Sequence, residues 1–344
     1  MSDPYGKRCY LALALDPIHV GTGGYRLGRV DNTIVREPGT NLPKVPGTSI
    51  SGVVRSYTAM QVNRYPGCAG KGGTEGEDHC GGCAVCLTYG FSKGRQKKSF
   101  QGLAQFFDAR IAFFPVRSMK GPVWVTCPSV LSDLAGSLGS NGVSIDGPWS
   151  VPEDKLQTSW VAKDARLNLG WLHLQNSAQS KPVASPLAGL PQEIFDRLVL
   201  ISDRIFTHVV NDNLEVRTSV AIDPQTGAHE EGALFSYEAI PRATVLWFDV
   251  VFNKPELFLP PSLDGSKDNK YSAQISAELN KEPAGKQWLW VKQNVEMGLQ
   301  LLEVLGVGGM GTRGMGRMRV IKMPDGSAQP NSGQSPKEKA HDQP

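Results

Sequence analysis

The stretch TSISGVVRSYTAMQVNRY (residues 48–65) decides the fold, because it predicts the first helix and separates an extended N-terminal segment from a cysteine-rich one. Ile50, Val53 and Val54 begin the apolar stripe of this helix. The preceding stretch CYLALALDPIHVGTG (9–23) alternates and then breaks at glycines, as a strand that leaves a core does. The chain is therefore predicted to begin with a strand followed by a helix.

The later part of the chain predicts more strands and another helix. Strands are expected in LAQFFDARIAFFPV (103–116), as a pair, in VLWFDVVF (245–252) and in MRVIK (318–322). The stretch VEMGLQLLEVLG (295–306) has helical periodicity and stops at a glycine. The strand–helix–strand beginning and the helix–strand end together predict an α+β core of the ferredoxin type.

Three further segments complete the predicted organisation. Residues 132–192 carry scattered Gly, Ser, Asn and Pro and are interpreted as insertions on the core. Residues 216–241 predict two strands around a turn at Asp223–Gly227, which together form a long hairpin. Residues 1–322 are interpreted as one domain. The tail 323–344 is rich in Pro, Ser, Gly, Gln and Lys and is expected to be disordered.

The composition is that of an ordinary globular protein, and the net charge of +3 does not by itself indicate a nucleic-acid binder. Basic residues concentrate in KGRQKK (93–98) and RGMGRMRVIK (313–322). No apolar run approaches the ~20 residues needed to cross a bilayer, and no secretory signal is evident at the N-terminus. We therefore expect a cytoplasmic protein, in which clustered cysteines more often hold a metal ion than form disulfides.

Four of the six cysteines lie in CAGKGGTEGEDHCGGCAVC (68–86), with the spacing C-x11-C-x2-C-x2-C. Four thiolates at about 2.3 Å satisfy a tetrahedral Zn²⁺ ion. A closed site of this kind leaves no position for water and would be structural. Free thiols, a redox pair and replacement of one thiolate by His79 remain open as alternatives. The predicted ligands of a structural zinc ion are Cys68, Cys80, Cys83 and Cys86.

Two segments have the composition of anion-binding sites. GVGGMGTRGMGRMR (306–319) combines glycines that expose backbone amides with arginines that suit phosphate oxygens, although a flexible connection explains it equally well. PKVPGTSISGVVRS (43–56) surrounds a predicted helix N-terminus, where free amides attract anions, and ordinary capping by Thr48 or Ser49 is the alternative. The candidate phosphate ligands in these segments are Lys44, Ser49, Ser51, Arg55, Arg313 and Arg317.

Asp31 is the candidate for chemistry. It lies between Arg29 and Arg36, and arginines on both sides would keep its carboxylate ionised and would bind a substrate beside it. On the residues alone, a turn former or an ion-pair partner is the commoner role of such an aspartate. The sequence contains no HExxH or HxH pair, and nothing in it resembles a Ser/His/Asp arrangement.

Five segments occur in an order that resembles one family. They are HVGTGG (19–24), RVDNTIVREPGTNLPKVPGTSISGVVRS (29–56), FDARIAFFPVRSMKGPVWVTCPSVL (107–131), EEGALFSYEAIP (230–241) and GVGGMGTRGMGRMRV (306–320). Together they resemble the RAMP superfamily, and within it the Cas7-like backbone subunit of type III-B CRISPR-Cas effector complexes. FFPVRSMKGPVWVTCP points to this branch over the related type III-A subunit. The resemblance covers about Cys9 to Val320.

The resemblance implies a modified RRM-like, ferredoxin-like palm with a long thumb hairpin at about 214–243. Copies would stack along a guide CRISPR RNA, together with other effector subunits and the complementary target RNA, and no membrane partner is expected. The zinc-knuckle insertion, about 66–98, departs from this branch and is expected to present basic residues to RNA or to the next subunit. The expected RNA-binding residues are Arg29, Arg36, Lys44, Ser49, Ser51, Arg55, Lys93, Arg95, Lys97, Lys98, Arg313 and Arg317.

The resemblance also implies an endoribonuclease. In this family an aspartate in the loop after the first strand cleaves the target RNA, and VDNTIVRE (30–37) matches its surroundings, except that Asn32 and Thr33 stand where leucine and proline are common. We expect Asp31 to assist attack by the RNA 2′-hydroxyl at a flipped nucleotide. It would act as a base or as the ligand of a divalent cation, Mg²⁺ or Mn²⁺. A non-catalytic scaffold and a stand-alone processing ribonuclease are the alternative functions.

Overall fold

A computed structural model describes residues 4–23, 30–69, 79–92, 99–147, 149–222, 224–228, 234–259 and 270–323. The strands are β1 (Tyr5–Ala14), β2 (Lys44–Val45), β3 (Ala104–Phe106), β4 (Ala109–Ser118), β5 (Gly121–Thr126), β6 (Lys155–Gln157), β7 (Arg166–Leu169), β8 (Leu172–Ala178), β9 (Leu198–Ile201), β10 (Glu215–Ser219), β11 (Phe235–Ala239), β12 (Val245–Asn253) and β13 (Met318–Lys322). The helices are α1 (Gly47–Gln61), α2 (Ala84–Tyr89), α3 (Pro128–Leu138), α4 (Gln192–Asp196), α5 (Asp203–Asp212), α6 (Pro255–Phe258), α7 (Lys270–Leu279) and α8 (Trp288–Gln300).

One large mixed sheet organises the molecule. Its strand order is β13-β1-β12-β4-β5-β9-β6-β8-β7, with β2 paired to β4 and β3 paired to β12. The strands β13, β1, β12 and β4 are antiparallel to their neighbours, whereas β5 pairs with β9 and β6 pairs with β8 in parallel. This mixed α/β architecture confirms the predicted class at the level of one sheet flanked by helices.

The central strands carry apolar side chains on both faces, and helices therefore cover both faces of the sheet. Side chains alternate along a strand, so Tyr10 and Ala12 of β1 pack on the side of α1 and α8, whereas Leu11 and Leu13 pack on the side of α3. The same alternation continues in β12. The β1–β12 register, in which Leu11 lies opposite Trp247, aligns the two patterns.

The first helix differs from its prediction at both ends. It begins at Gly47 with Pro46 in the N-cap position, so the prediction that Thr48 or Ser49 caps it was wrong. The carboxylate of Asp108, just before β4, accepts the Gly47 N–H at 2.8 Å and satisfies the first amide instead. A tertiary contact therefore replaces the local cap, and the helix ends at Gln61, four residues before the predicted end.

Two predictions about strand organisation also need correction. The stretch 103–116 contains β3 and β4, but both pair with β12 and not with each other. Residues 132–192 are not insertions on the core, because β6, β7 and β8 extend the large sheet. Their apolar side chains, such as Leu156 and Leu167, are buried in the core that also holds α1 and α8.

Other elements agree with the sequence. The strands β12 and β13 lie where they were predicted, and β10 and β11 pair antiparallel as the predicted hairpin requires. The second long helix, α8, begins earlier than predicted and ends at Gln300; Gly306 follows it with φ 76°. The tail 324–344 lies outside the described residues. None of the helices in the described ranges combines the length and hydropathy needed to cross a bilayer.

Contact between α1 and α8 predicts opposite effects of two glycine substitutions. A Cβ at Gly298 would overlap Thr58 and lie 2.5 Å from the Val54 carbonyl oxygen, whereas a Cβ at Gly52 meets nothing within 4 Å. We expect Gly298→Ala to lower the free energy of unfolding by about 1–3 kcal/mol. Gly52→Ala should raise it by about 0.5–1 kcal/mol, because alanine favours the helix. Urea denaturation measures both, and equal effects would contradict the packing.

Candidate active site and metal centre

The segment that contains Asp31 lies along β11. The Asn32 N–H donates to the Ser236 carbonyl, and the Glu238 N–H donates to the Asn32 carbonyl, both at 3.0 Å. On its other side the segment contacts the chain that leaves β1, where the Val35 N–H donates to the Val20 carbonyl at 2.9 Å. Main-chain hydrogen bonds on both sides therefore fix the backbone that carries Asp31.

Ser236 holds the Asp31 carboxylate. Oδ2 accepts the backbone N–H of Ser236 at 2.7 Å and its hydroxyl at 2.9 Å. These two hydrogen bonds, the backbone one first, hold the pKa of Asp31 below its usual value. The side chain is exposed. The site therefore presents an ionised carboxylate, fixed on one oxygen, to the surface at the hairpin.

Glu238 anchors the same segment from within. Its buried carboxylate accepts a hydrogen bond from Arg36 Nη2 at 2.8 Å and from the Ile34 N–H at 3.4 Å. Arg36 also donates from Nε to Asn211 at 3.1 Å. The guanidinium of Arg36, an expected RNA ligand, thus lies in an ion pair that positions the Asp31 segment.

The glycine-rich loop packs closely on His19. The Gly309 N–H donates to the His19 carbonyl at 2.8 Å, and a Cβ at Gly308, where φ is 88°, would overlap that oxygen. The His19 ring is buried, and its Nδ1 lies 2.6 Å from the Glu238 carbonyl oxygen, so this nitrogen carries the proton and donates. Glycine is needed at Gly308 for a close approach of two backbones, a role that the sequence alone did not distinguish from flexibility.

The two arginines of this loop occupy different surroundings. Arg313 donates to Ser219 Oγ at 3.2 Å and lies over the ring of Phe235 at 5.2 Å, so it contacts both strands of the hairpin. Arg317 forms an ion pair with Asp16 through two nitrogens and lowers the pKa of that carboxyl. Arg313 therefore lies beside the hairpin, and Arg317 lies beside the segment that follows β1.

The candidate phosphate ligands around the N-terminus of α1 contact different parts of the chain. Lys44 forms an ion pair with Asp108. Arg55 donates from Nε to the Cys68 carbonyl at 2.9 Å and so faces the cysteine segment. Ser49 and Ser51 are partly exposed on the first turns of α1. The remaining expected RNA ligands, Arg29, Lys93, Arg95, Lys97 and Lys98, lie outside the described residues.

Four cysteines converge beside α1 and α2. The Sγ atoms of Cys68, Cys80, Cys83 and Cys86 all lie within 4.8 Å of one another. Cys68 and Cys80 are 3.6 Å apart, and Cys80 and Cys86 are 3.9 Å apart. Tetrahedral coordination at about 2.3 Å requires sulfurs about 3.8 Å apart. The distances therefore fit a four-thiolate metal site, in which His79 is not a member: its Nδ1 lies 3.3 Å from Arg55 Nη2.

The thiols cannot all ionise through contacts with one another. Hydrogen bonds within the cluster, those with Cys68 first, lower the pKa of Cys80 but raise the pKa values of Cys83 and Cys86. A divalent cation supplies the positive charge that stabilises four thiolates together. The donor set is therefore suited to a structural metal ion such as zinc.

A family model described as the RAMP superfamily matches residues 12–319. The chain belongs to the RAMP superfamily. Among curated relatives of this RAMP chain, the Cmr endoribonuclease Cmr4 of Pyrococcus furiosus is 27% identical over 254 residues, which is 68% of the chain and 77% of the relative. The Cms endoribonuclease Csm3 of Methanothermobacter thermautotrophicus is 33% identical over 75 residues, 21% of the chain and 28% of the relative.

Solved structures share the fold of this RAMP chain. A chain of the type III-B Cmr-beta complex, seen by cryo-electron microscopy with cognate target RNA, superposes with a TM-score of 0.60 at 17% identity and covers 92% of this chain and 98% of that one. Oligomeric Cmr4 from Pyrococcus furiosus gives a TM-score of 0.52 at 20% identity, with 93% and 99% covered. At these identities the likeness shows the fold alone.

Sequence patterns alone do not identify two site residues, Ser236 and Glu238. Both lie in the EEGALFSYEAIP segment, whose pattern predicts a hairpin strand and forms part of the family resemblance, but assigns no role to either residue. Their signal is a serine and a glutamate two positions apart, and adjacent residues of a strand point to opposite sides. Residues two apart therefore share a side, which is the side that meets Asp31 and Arg36.

The cysteine geometry predicts a selective loss of metal. Cys80→Ser removes a ligand, whereas Cys127→Ser changes a buried thiol outside the cluster. We expect one equivalent of zinc in the wild-type RAMP chain and in Cys127→Ser, and well under half an equivalent in Cys80→Ser. Elemental analysis of the purified proteins measures this, and equal zinc in both variants would exclude the assigned ligands.

The Ser236 contacts predict the titration of Asp31. A lowered pKa keeps the carboxylate ionised through its usual titration range, so its hydrogen bonds stabilise the fold at neutral pH and are lost as pH falls through the lowered value. Ser236→Ala removes the hydroxyl donor and should raise the Asp31 pKa, while the backbone donor remains. A carboxyl NMR titration with labelled aspartate tests this. Thr226→Ala is the control, and an unchanged Asp31 pKa in Ser236→Ala would refute the contact.

Proposed function

We propose that this chain is the guide-RNA-binding backbone subunit of a type III CRISPR effector complex and that it cleaves the complementary target RNA. The observation that carries the proposal is Asp31, an exposed and ionised carboxylate that Ser236 fixes at the hairpin. The names of the relatives, Cmr4 and Csm3 endoribonucleases, support RNA cleavage at the level of the family. Other copies of the chain, the guide and the target are the proposed partners.

The sheet supports the predicted palm. The strand order β13-β1-β12-β4, with α1 and α8 on one face, is the order of a ferredoxin-like β-α-β-β-α-β unit. We assign this unit as the RRM-like palm and β10–β11 as the base of the thumb hairpin. The cysteine segment is then the zinc-knuckle insertion. It lies against α1 through the Arg55–Cys68 hydrogen bond, which ties a structural zinc site to the palm.

The geometry favours an orienting role for Asp31. A carboxylate with a lowered pKa is a weak proton acceptor, but it accepts a hydrogen bond from a 2′-hydroxyl well. Holding that oxygen in line with the leaving 5′-oxygen at a flipped nucleotide supplies much of the required acceleration. The 2′-oxygen forms a bond to phosphorus as its proton passes to water, and the bond from phosphorus to the 5′-oxygen breaks as that oxygen takes a proton from water. The products are a cyclic phosphate and a 5′-hydroxyl end. Because Oδ2 is held by Ser236, Oδ1 is the proposed contact with RNA.

A divalent cation receives little support from the described part of the chain. Among these residues the cysteine cluster is the one group of three or more potential ligands, and Asp31 is not part of such a group. The neighbouring carboxylate of Glu238 is already paired with Arg36. The protein would thus contribute a single carboxylate to a Mg²⁺ or Mn²⁺ ion, and RNA oxygens and water would provide the rest.

The proposed RNA-binding surface follows from the charges that the fold leaves near the hairpin. Arg313, beside the hairpin, and Arg317, beside Asp16, are proposed phosphate contacts, and Lys44, Ser49 and Ser51 are proposed contacts at the start of α1. The basic segment 93–98 and Arg29 remain predictions. Arg36 and Arg55 are proposed to act indirectly, because their guanidiniums hold the Asp31 segment and the cysteine segment. Specificity then comes from base pairing with the guide.

Cleavage by the assembled complex tests the nuclease against the scaffold. Asp31→Ala should slow cleavage of complementary RNA by about 100-fold or more, because the orienting contact is lost. Target binding should be unchanged, since phosphate contacts and base pairing supply the affinity. Asp212→Ala, at the exposed end of α5, is the matched control. Unchanged cleavage in Asp31→Ala would leave the scaffold role alone.

The ionisation of Asp31 predicts the pH dependence. The carboxylate stays charged from about pH 5 to 8, so it should produce no acidic inflection in the cleavage rate over that range. A single-turnover pH profile measures this, with and without a chelator. An inflection that disappears in Asp31→Asn would show that this group titrates as a base.

Cutting of precursor RNA by the chain without partners would instead support a processing ribonuclease.

A further inference from the structure

Two adjacent turns carry the most exposed apolar side chains of the described chain. Trp171, between β7 and β8, is 96% exposed, and Met119, between β4 and β5, is 87% exposed. Leu172 beside them is 37% exposed. Exposed single apolar residues are common, but an almost fully exposed tryptophan beside a methionine is typical of a contact surface. We call Met119, Trp171 and Leu172 the apolar knob.

The apolar knob is rigidly supported. The Gly170 N–H donates to the Arg117 carbonyl at 3.1 Å, and the Met119 N–H donates to Asn168 Oδ1 at 2.7 Å, so the two turns are tied together. Gly170 has φ 59° and closely approaches Asn213. A surface held in place in this way loses little conformational entropy when it is buried.

A pocket at the other end of the strands matches the knob. Its apolar lining residues are Leu87, Leu259, Ile275 and Leu279, its polar ones include Ser276, Asn280 and Gln287, and its volume is about 340 Å³. Among the described residues that line it, Glu256 is the one with a charge, and this side chain is exposed. The knob carries the opposite charge, because the exposed Arg117 and Lys120 flank Met119. We call this cavity the α6–α7 pocket.

The two surfaces lie too far apart to meet within one molecule. Phe113 of β4 lies opposite Val245 of β12, and the knob follows the C-terminal end of β4 while α6 follows the C-terminal end of β12. The path from Ser118 through this pair to Asn253 spans roughly 40 Å at the rise of an extended strand. A contact between these surfaces of two copies is therefore heterologous, and it joins the copies head to tail.

We propose that the apolar knob of one copy docks into the α6–α7 pocket of the next. The inference rests on the proposed function only in that copies stack along one guide. Trp171 fills the pocket, and Lys120 pairs with Glu256 at its rim. Contact between two knobs is disfavoured, because the cations of Arg117 and Lys120 would face each other. Stacking of the indole on RNA uses Trp171 and the cations but leaves Met119 and Leu172 without a role.

Sedimentation velocity of the full chain over a range of concentrations, with and without single-stranded RNA, tests the docking. Trp171→Ala should raise the dissociation constant for self-association about 30-fold, as expected for a buried anchor. Val304→Ala, which changes a 66% exposed residue after α8, should have no effect. Zinc content and thermal midpoint should match the wild type in both variants. A wild-type chain that stays monomeric under all conditions, or an unaltered Trp171→Ala, overturns the proposal.

A charge exchange tests the partner surface. Lys120→Glu and Glu256→Lys should each weaken self-association, and the double variant should restore it, because the pair then has its charges exchanged. Additive weakening in the double variant overturns the assigned pocket. Weaker RNA binding by Trp171→Ala with normal self-association would indicate stacking on RNA instead. Asp31→Ala should slow cleavage without changing self-association, so failure of docking and failure of the nuclease assignment are distinguishable.

Discussion

The partly buried ion pair between Arg36 and Glu238 is the interaction on which the site depends. Two charges taken out of water are costly unless each is paired and hydrogen-bonded, so this contact allows little displacement of either partner. Glu238 belongs to the hairpin, Arg36 belongs to the Asp31 segment, and the Glu238 carbonyl also accepts the His19 ring. His19 in turn contacts the glycine-rich loop. Glu238 therefore joins three segments that are distant in sequence, and His19 connects them to a fourth.

This arrangement connects the hairpin to the candidate chemistry. The hydrogen bonds that hold the Asp31 carboxylate come from Ser236, two residues before Glu238 on the same strand. RNA that displaces the hairpin would therefore displace the acid with it. The glycine-rich loop, which approaches the His19 backbone at Gly308, closes the other side. In this fold the glycines serve close packing, and the arginines around them supply the positive charge.

Local sequence was sufficient where the determinants are local. β12 and β13 follow from apolar runs, and the cysteine spacing indicated four ligands that do converge. Local sequence was insufficient where a residue distant in the chain decides the structure of a segment. Asp108 caps α1 in place of Thr48 or Ser49, and β6, β7 and β8 join the large sheet although their polar surroundings had suggested insertions. A local sequence pattern does not identify the strand with which a segment will pair.

By itself the sequence indicated the class of the fold, the family, the four cysteines that converge and Asp31 as the candidate for chemistry, because each is encoded in residue types at short spacing or in ordered motifs. The tertiary structure decided what those residues contact. It paired Arg36 with Glu238, directed Arg55 to the Cys68 carbonyl, paired Lys44 with Asp108, and placed Ser236 on the Asp31 carboxylate. The physical reason is that a charged side chain binds the partner that the folded chain brings within reach, and that partner lies 205 residues from Asp31 and 301 residues from Asp16 along the chain.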